Sequence, residues 1–309
     1  MPVTFCRVYR AAVSPAFPTC SLRSLLELKG PSAQELKAGK TGDYGHHLSY
    51  FACWSAESYM QLHAPEGLPE ITASSNLGTL IADHIDIKSN DIVCVASTVV
   101  SKAEARTRSL SDFPPGPRAT ELTAQLAEET ANDPDERFIQ AVLEESVEIL
   151  LESPFLLTET RFGHVGVNAG IDRSNVGHEE LLLLPKHPSK SANRIAESLS
   201  TDQVIVTDTC GRPFRHGQRG VAIGWSGIEP SRDWRGETDR DGRELTATVE
   251  NVIDELAAAA NLLAGEGNNG TPVVVIRDFE WGPHAESSAH FRDINDDLIR
   301  QAVRGWTYA

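Results

Sequence analysis

The 309-residue, 33.6 kDa chain carries 28 Lys and Arg against 44 Asp and Glu, a net charge of −16. That excess excludes a general nucleic-acid binder, which needs a cationic face to displace counterions from phosphate. With 40% hydrophobic residues, 23% charged residues and no apolar run near the roughly 18 to 20 residues that span a bilayer, the composition is globular, with no integral membrane segment, and the length allows one large domain or two ordinary ones.

Residues 1–59 read differently from the rest. They hold six basic and four acidic residues, net +2, so the other 250 carry −18. They also hold three of the five cysteines (Cys6, Cys20, Cys53) and the mixture His46, His47, Tyr50, Phe51 and Trp54 without clear periodicity. Arg7 and Arg10 interrupt the only apolar stretch near the start, so no signal-peptide core is present. The expectation is an N-terminal extension over 1–59, disordered or a mis-annotated start, with translation beginning at Met60 and the working domain over 60–309. An intact mass that includes residues 1–59 would overturn that start. The other cysteines are Cys94 and Cys210; the set has no CxxC spacing, which suggests neither a disulfide framework nor a zinc site and fits a reducing cytoplasm. Beyond residue 59 the only lysines are Lys88, Lys102, Lys186 and Lys190. An acid-rich, Lys-poor surface suits a salt-loving cell, where screening weakens self-repulsion; an ordinary acidic protein is the alternative.

From Asn76 to Ile87, Leu77, Leu80, Ile81 and His84 recur at helical spacing, and a strand is predicted over Asp91–Val100. Ser111–Pro117, with three prolines and a glycine, is a loop. A long amphipathic helix is predicted over Thr120–Leu151, broken near Asp133-Pro134. Thr158–Ile171 has β character, Leu181–Leu184 and Gln203–Thr207 are short buried strands, and Ser189–Leu199 is a helix. A helix over Glu244–Leu263 and a strand over Pro272–Ile276 precede a mixed tail ending near Trp306. Beyond Met60, apolar strands thus alternate with helical patterns. There is neither a G-x-x-x-x-G-K-[ST] P-loop nor a G-x-G-x-x-G Rossmann motif.

Four polar sets follow apolar elements. Ser101, Lys102, Glu104 and Arg106 place a hydroxyl and two cations after Val100, an anion cradle for phosphate or carboxylate; the alternative is a solvated helix terminus with Glu104 paired to a neighbour. Asn168-Ala-Gly-Ile-Asp172-Arg-Ser-Asn175 offers Asp172 and Asn175 as oxygen ligands, or as the residues of an Asx turn. Asp208 and Thr209 stand at the end of a buried strand, where a carboxylate and a hydroxyl can hold Mg²⁺ or Mn²⁺ against a nucleotide phosphate, with Arg212, Arg215 and Arg219 close by. Gly265, Glu266, Gly267 and Asn268 form either a plain helix-ending turn or a backbone wrap for phosphate with Glu266 as a further ligand. Cys210 has no orienting Asn or Asp beyond His216 and is not read as a nucleophile.

These stretches, with Gly67-Leu-Pro-Glu-Ile71, Arg235–Leu245 and Asp254-Glu-Leu-Ala-Ala-Ala-Ala260, together resemble the coenzyme F420-0 gamma-glutamyl ligase family over about residues 60–280, in its haloarchaeal form. The resemblance implies a two-lobed α+β ligase fold, intertwined as a cytoplasmic homodimer. It implies a GTP-dependent ligase that joins L-glutamate to F420-0 through an acyl phosphate and then adds a second glutamate through a γ-linkage, in coenzyme F420 biosynthesis. Mg²⁺ or Mn²⁺, and K⁺, are the expected ions, and GTP is a co-substrate. By position, Leu68, Pro69, Glu70, Ile71, Ser101, Lys102, Arg106 and Asn175 would contact GTP, with the backbone at Gly265, Gly267 and Asn268. Asp172, Asp208, Thr209 and Glu266 would hold metal, Glu266 standing where many relatives have Gln. Lys102, Asp172 and Asp208 carry the expected catalysis. A non-catalytic deazaflavin or nucleotide binder, or an amide ligase for another carboxylate acceptor, remains the alternative; no nucleic-acid or membrane partner is expected. The number of glutamates added, the strictness of GTP over ATP, and the salt requirement are not legible in the sequence.

Overall fold

The computed structural model describes residues 59–130, 134–174, 176 and 180–304. The expected extension, except Tyr59, lies outside the described residues, as do Asn175 and Trp306.

The frame is a five-stranded sheet in the order β1-β12-β2-β8-β9. Its members are β1 (Gln61–His63), β2 (Ile92–Ala96), β8 (Val204–Arg212), β9 (Arg215–Ser226) and β12 (Val273–Arg277). β2 and β8 run parallel, and the other neighbours are antiparallel. The central strands read as unbroken apolar runs because both faces are covered. Val93, Val95, Val204, Val206, Val273 and Val275 face one cluster with Leu77, Ile81, Ala192 and Ile195, from α1 (Leu77–His84) and α5 (Pro188–Ala196). Ile92, Cys94, Ile205, Val274 and Ile276 face the other, under Ile253, Leu256 and Ala257 of α6 (Val252–Ala264).

A separate apolar centre forms where α3 (Pro117–Thr130) and α4 (Glu136–Glu145) pack near a three-stranded antiparallel sheet of β4 (Ser146–Leu151), β5 (Leu157–Thr160) and β6 (Val165–Val167). The remaining elements are the paired β3 (Thr107–Arg108) and β7 (Leu181–Leu182), a small sheet of β10 (Ser231–Asp233), β11 (Val249–Asn251) and β13 (Ala285–Ser287), a short helix α2 (Ser97–Ala103), and α7 (Leu298–Arg304).

The fold is a mixed α+β one, with four boundary corrections. The strand predicted to Val100 stops at Ala96, and Ser97–Ala103 turn into α2. Val99 and Val100 both pack into the same cluster, which consecutive strand residues, pointing to opposite faces, do not do. Ser101 and Lys102 therefore sit on a helix rather than a loop. The long helix ends at Glu145, where the Ser146 hydroxyl donates to the Val142 carbonyl (2.6 Å), and Ser146–Leu151 become a strand. α6 begins at Val252 rather than Glu244, capped by Asn251 with Asp254 and Glu255 in its first turn, where acids suit the positive end of the helix dipole. β8 continues past Thr207 to Arg212, so Asp208 and Thr209 lie within a strand.

Candidate functional site

Ala96 and Thr207 are the last paired residues of the parallel β2–β8 ladder, so Asp208, still within β8, lies just past the carboxyl end of β2, the edge where open α/β sheets place ligands. Ser97, buried at the start of α2, donates its hydroxyl to Asp208 Oδ1 (3.0 Å). Burial pushes the Asp208 carboxyl up to about 6; bonds from Ser97 and the Thr209 backbone oppose the shift, and the Asp172 and Glu266 carboxylates add to it. Three of the four expected metal ligands are thus electrostatic neighbours.

Asp172 is fixed by a two-way backbone bridge to Leu182 (3.0 and 2.8 Å). Its carboxylate accepts from the Ser174 backbone (2.8 Å) and hydroxyl (2.7 Å), the Asx turn weighed from the sequence. Glu266, exposed after α6, stays within electrostatic range of Asp208 because α6 packs tightly against the hairpin. A Cβ at Gly220, the partner of Thr209, would lie 2.5 Å from the Ala257 carbonyl oxygen and 2.9 Å from Asn261 Cβ. Asn261 Nδ2 then donates to Glu266 Oε1 (2.8 Å). Gly265 ends α6 at φ +74°, a conformation glycine adopts without a Cβ clash. Gly267 and Asn268 follow on an exposed loop.

Lys102, in the last turn of α2, bonds Glu70 Oε1 through its ammonium (2.6 Å). The structure therefore brings two of the expected nucleotide segments together: Ile71 is buried and Leu68 packs against the core, while Pro69 and Glu70 stay exposed. Ser101 is buried on α2. Arg106 goes the other way. It is 4% exposed, with Nε donating to the Leu184 carbonyl (2.9 Å) and Nη2 to Glu145 (2.5 Å), so those bonds turn it into the protein wall rather than toward Lys102. Glu104 is paired with Arg194 and Ser191. Arg212 and Arg215 sit on the exposed outer part of the hairpin, and Arg219 lies 3.7 Å from Asp254. Asn175 lies outside the described residues.

Carboxylate and hydroxyl oxygens are the donors a hard divalent ion selects, and such an ion would relieve the repulsion on Asp208. Among the described residues, however, no three His, Cys, Asp or Glu side chains are gathered closely enough to hold one. Asp172, Asp208, Thr209 and Glu266 form a neighbourhood suited to a cation, not a closed shell. Burial raises the Cys210 thiol, and that of Cys94 to about 12, which disfavours a thiolate at either. Sequence reasoning did not find Ser97 or Asn261. Ser97 had a signal, as the first polar residue after an apolar strand; Asn261, inside an Ala-rich helix, had none. No helix among the described residues is long and apolar enough to cross a membrane.

The family model described as F420-0:gamma-glutamyl ligase matches residues 67–278. The chain is 61% identical over 249 residues to a protein of Halorubrum lacusprofundi named coenzyme F420:L-glutamate ligase, covering 81% of this chain and 99% of the relative. A protein of the same name from Halobacterium salinarum is also 61% identical, over 250 residues, with the same coverage. One from Archaeoglobus fulgidus is 45% identical over 244 residues, covering 77% of this chain and 96% of the relative.

Proposed function

The chain belongs to the F420-0:gamma-glutamyl ligase family, and from that premise we propose that it joins L-glutamate to F420-0 at the expense of GTP. The reading rests on one arrangement: a partly buried Asp208 on β8 just past the carboxyl end of β2, within electrostatic range of Asp172 and Glu266, with the Lys102–Glu70 pair on the adjoining helix and loop.

A carboxylate resists attack by an amine, so it must first be activated. Its oxygen attacks the γ-phosphorus of GTP, GDP leaves, and an acyl phosphate results. The glutamate amine, having lost its proton, attacks the acyl carbon; phosphate leaves and the amide forms. Asp172, Asp208, Thr209 and Glu266 are the residues that would hold Mg²⁺ or Mn²⁺, which neutralises charge on the transferring phosphate. Ser97 fixes one oxygen of Asp208 and Asn261 one of Glu266. Lys102 is placed to exchange Glu70 for a phosphate oxygen, and Ile71 and Leu68 hold the facing loop on the core.

The reading extends to a K⁺ requirement and to a homodimer. For the dimer the support is the outer hairpin, where Gly211 and Gly217 have nothing within 4 Å of a Cβ position and Phe214 is 101% exposed. Incubation with GTP, Mn²⁺, glutamate and the deazaflavin acceptor, followed by mass spectrometry, tests the reaction. The expected product carries one or two added glutamates, with GDP formed in step. GTP consumed without a glutamylated product overturns the reading.

A further inference from the structure

We propose that a cavity of about 310 Å³ beside this site, lined by Glu145, Arg161, Phe162, Leu184, Lys186 and His187 among others, is the seat of the amino-acid co-substrate and takes L-glutamate. The inference rests on the ligase reading for its ligand and on the cavity for its place.

The cavity lies between two helix ends of opposite polarity. Glu145 is the last residue of α4, whose terminal carbonyls make a negative pole; Lys186 and His187 lead directly into the N-terminus of α5, a positive pole. A zwitterion with a second carboxylate matches that field, its ammonium toward Glu145 and its carboxylates toward Lys186 and Arg161. Glu145 and Lys186 continue the pattern, and Arg161 adds a cation at the α4 end. Arg161 is tied to the end of α4 by one bond, from Nη2 to the Glu144 carbonyl (2.9 Å), with its other donors left for a ligand. Glu145 accepts from Arg106 at Oε2, and its Oε1 accepts no hydrogen bond among the described residues. Phe162, Leu184 and Ala169 supply an apolar wall for the methylenes. The volume is at the small end of ligand pockets, suited to an amino acid rather than a nucleotide.

Two short chain segments join the cavity to the site. Arg106, which grips Glu145, bonds back through its own N–H to the Ser101 carbonyl (2.9 Å), next to Lys102. On the other wall, Leu184 is two residues past Leu182, the backbone partner of Asp172, roughly 7 Å of extended chain. Glutamate bound here would lie one short run of chain from Asp172 on one wall and from Lys102 on the other, with its amine held at Glu145.

The test uses the full chain with Arg161→Gln, Lys186→Gln and both, reading the KM for L-glutamate in the ligation assay and, separately, L-glutamate binding by calorimetry without nucleotide. Each single change is expected to raise the glutamate KM about tenfold and the pair about a hundredfold, as loss of charge-assisted bonds does. The KM for GTP should stay within about twofold, and Lys186→Arg should recover glutamate affinity. Ligation with an unchanged glutamate KM in the double variant overturns the cavity assignment and leaves the ligase reading standing. Glutamate binding that the variants abolish, in a wild type that makes no amide, overturns the ligase reading and leaves the cavity standing. Neither binding nor ligation overturns both.

Discussion

The inner and outer halves of the β8–β9 hairpin share one pair of strands and two unlike environments. Inside, Val204, Ile205 and Val206 are 0% exposed, paired with Gly224–Ser226, with helices over both faces. Outside, from Gly211 to Arg219, every residue is exposed. Asp208 sits at the change-over. A carboxylate wholly inside would lose its charge, and one wholly outside would be a solvated acid with an ordinary pKa. At the boundary it is desolvated enough to repel its acidic neighbours and open enough to meet a ligand. The raised pKa of this residue therefore comes from where the helices stop covering the strand.

The largest expected effect breaks the inner half. A Cβ at Gly224 would lie 2.4 Å from both the carbonyl carbon and Cβ of Pro188, and 2.5 Å from the Ser189 nitrogen, which are mostly backbone atoms at the start of α5. Gly224→Val must displace that helix, and should cost about 3 kcal/mol or more, seen as a lower denaturation midpoint with unchanged slope. An equal midpoint would show that the inner half is not held by close packing.

Next comes the boundary itself. Asp208→Asn should lower ligation by about a hundredfold or more, as loss of a metal ligand does. Near-normal turnover at saturating Mn²⁺ would remove Asp208 from the reaction. The same variant sharpens the comparison through stability. The folded-state pKa of Asp208 is raised from 3.8 to about 6, so its favourable contribution is fully present below pH 3.8 and is lost as pH rises through about 6. Above that, the ionised carboxylate burdens the fold by at most about 3 kcal/mol. Asn keeps an oxygen for Ser97, so in chelator Asp208→Asn should gain about 1 to 3 kcal/mol at pH 8 and nothing near pH 4. An unchanged Tm at pH 8 would show that the site is not desolvated.

What the sequence disclosed divides along the same line. The inner strands β2, β8 and β12 were legible because burial on both faces leaves an unbroken apolar run. The Val99-Val100 pair misled because such a run does not distinguish a buried strand from a buried helix turn. Arg106 read as an anion contact because its partner Glu145 is 39 residues away, and nothing local announces that pairing. The Ser97–Asp208 bond joins residues 111 apart and exists only because β2 and β8 align in parallel with Ala96 opposite Thr207. Residue types at the site were readable one segment at a time; their mutual bonds depend on register.

The smallest expected effect lies at the hairpin tip. Pro213 and Phe214 form the turn between β8 and β9, and Phe214 is held at φ +66° with its ring 101% exposed. A non-glycine residue in that region is strained by about 1 kcal/mol, while glycine there carries a comparable entropic penalty. An exposed ring gives the isolated chain no burial in return. Phe214→Gly should therefore change the stability of the dilute chain, read from its Tm, by no more than about 1 kcal/mol in either direction. If the tip packs onto a second copy, as proposed above for a homodimer, the same variant must weaken that association, so Tm would fall in the concentrated protein and hold in the dilute one. A Tm independent of concentration in wild type and variant alike would leave the outer half a free arm and remove it from the dimer.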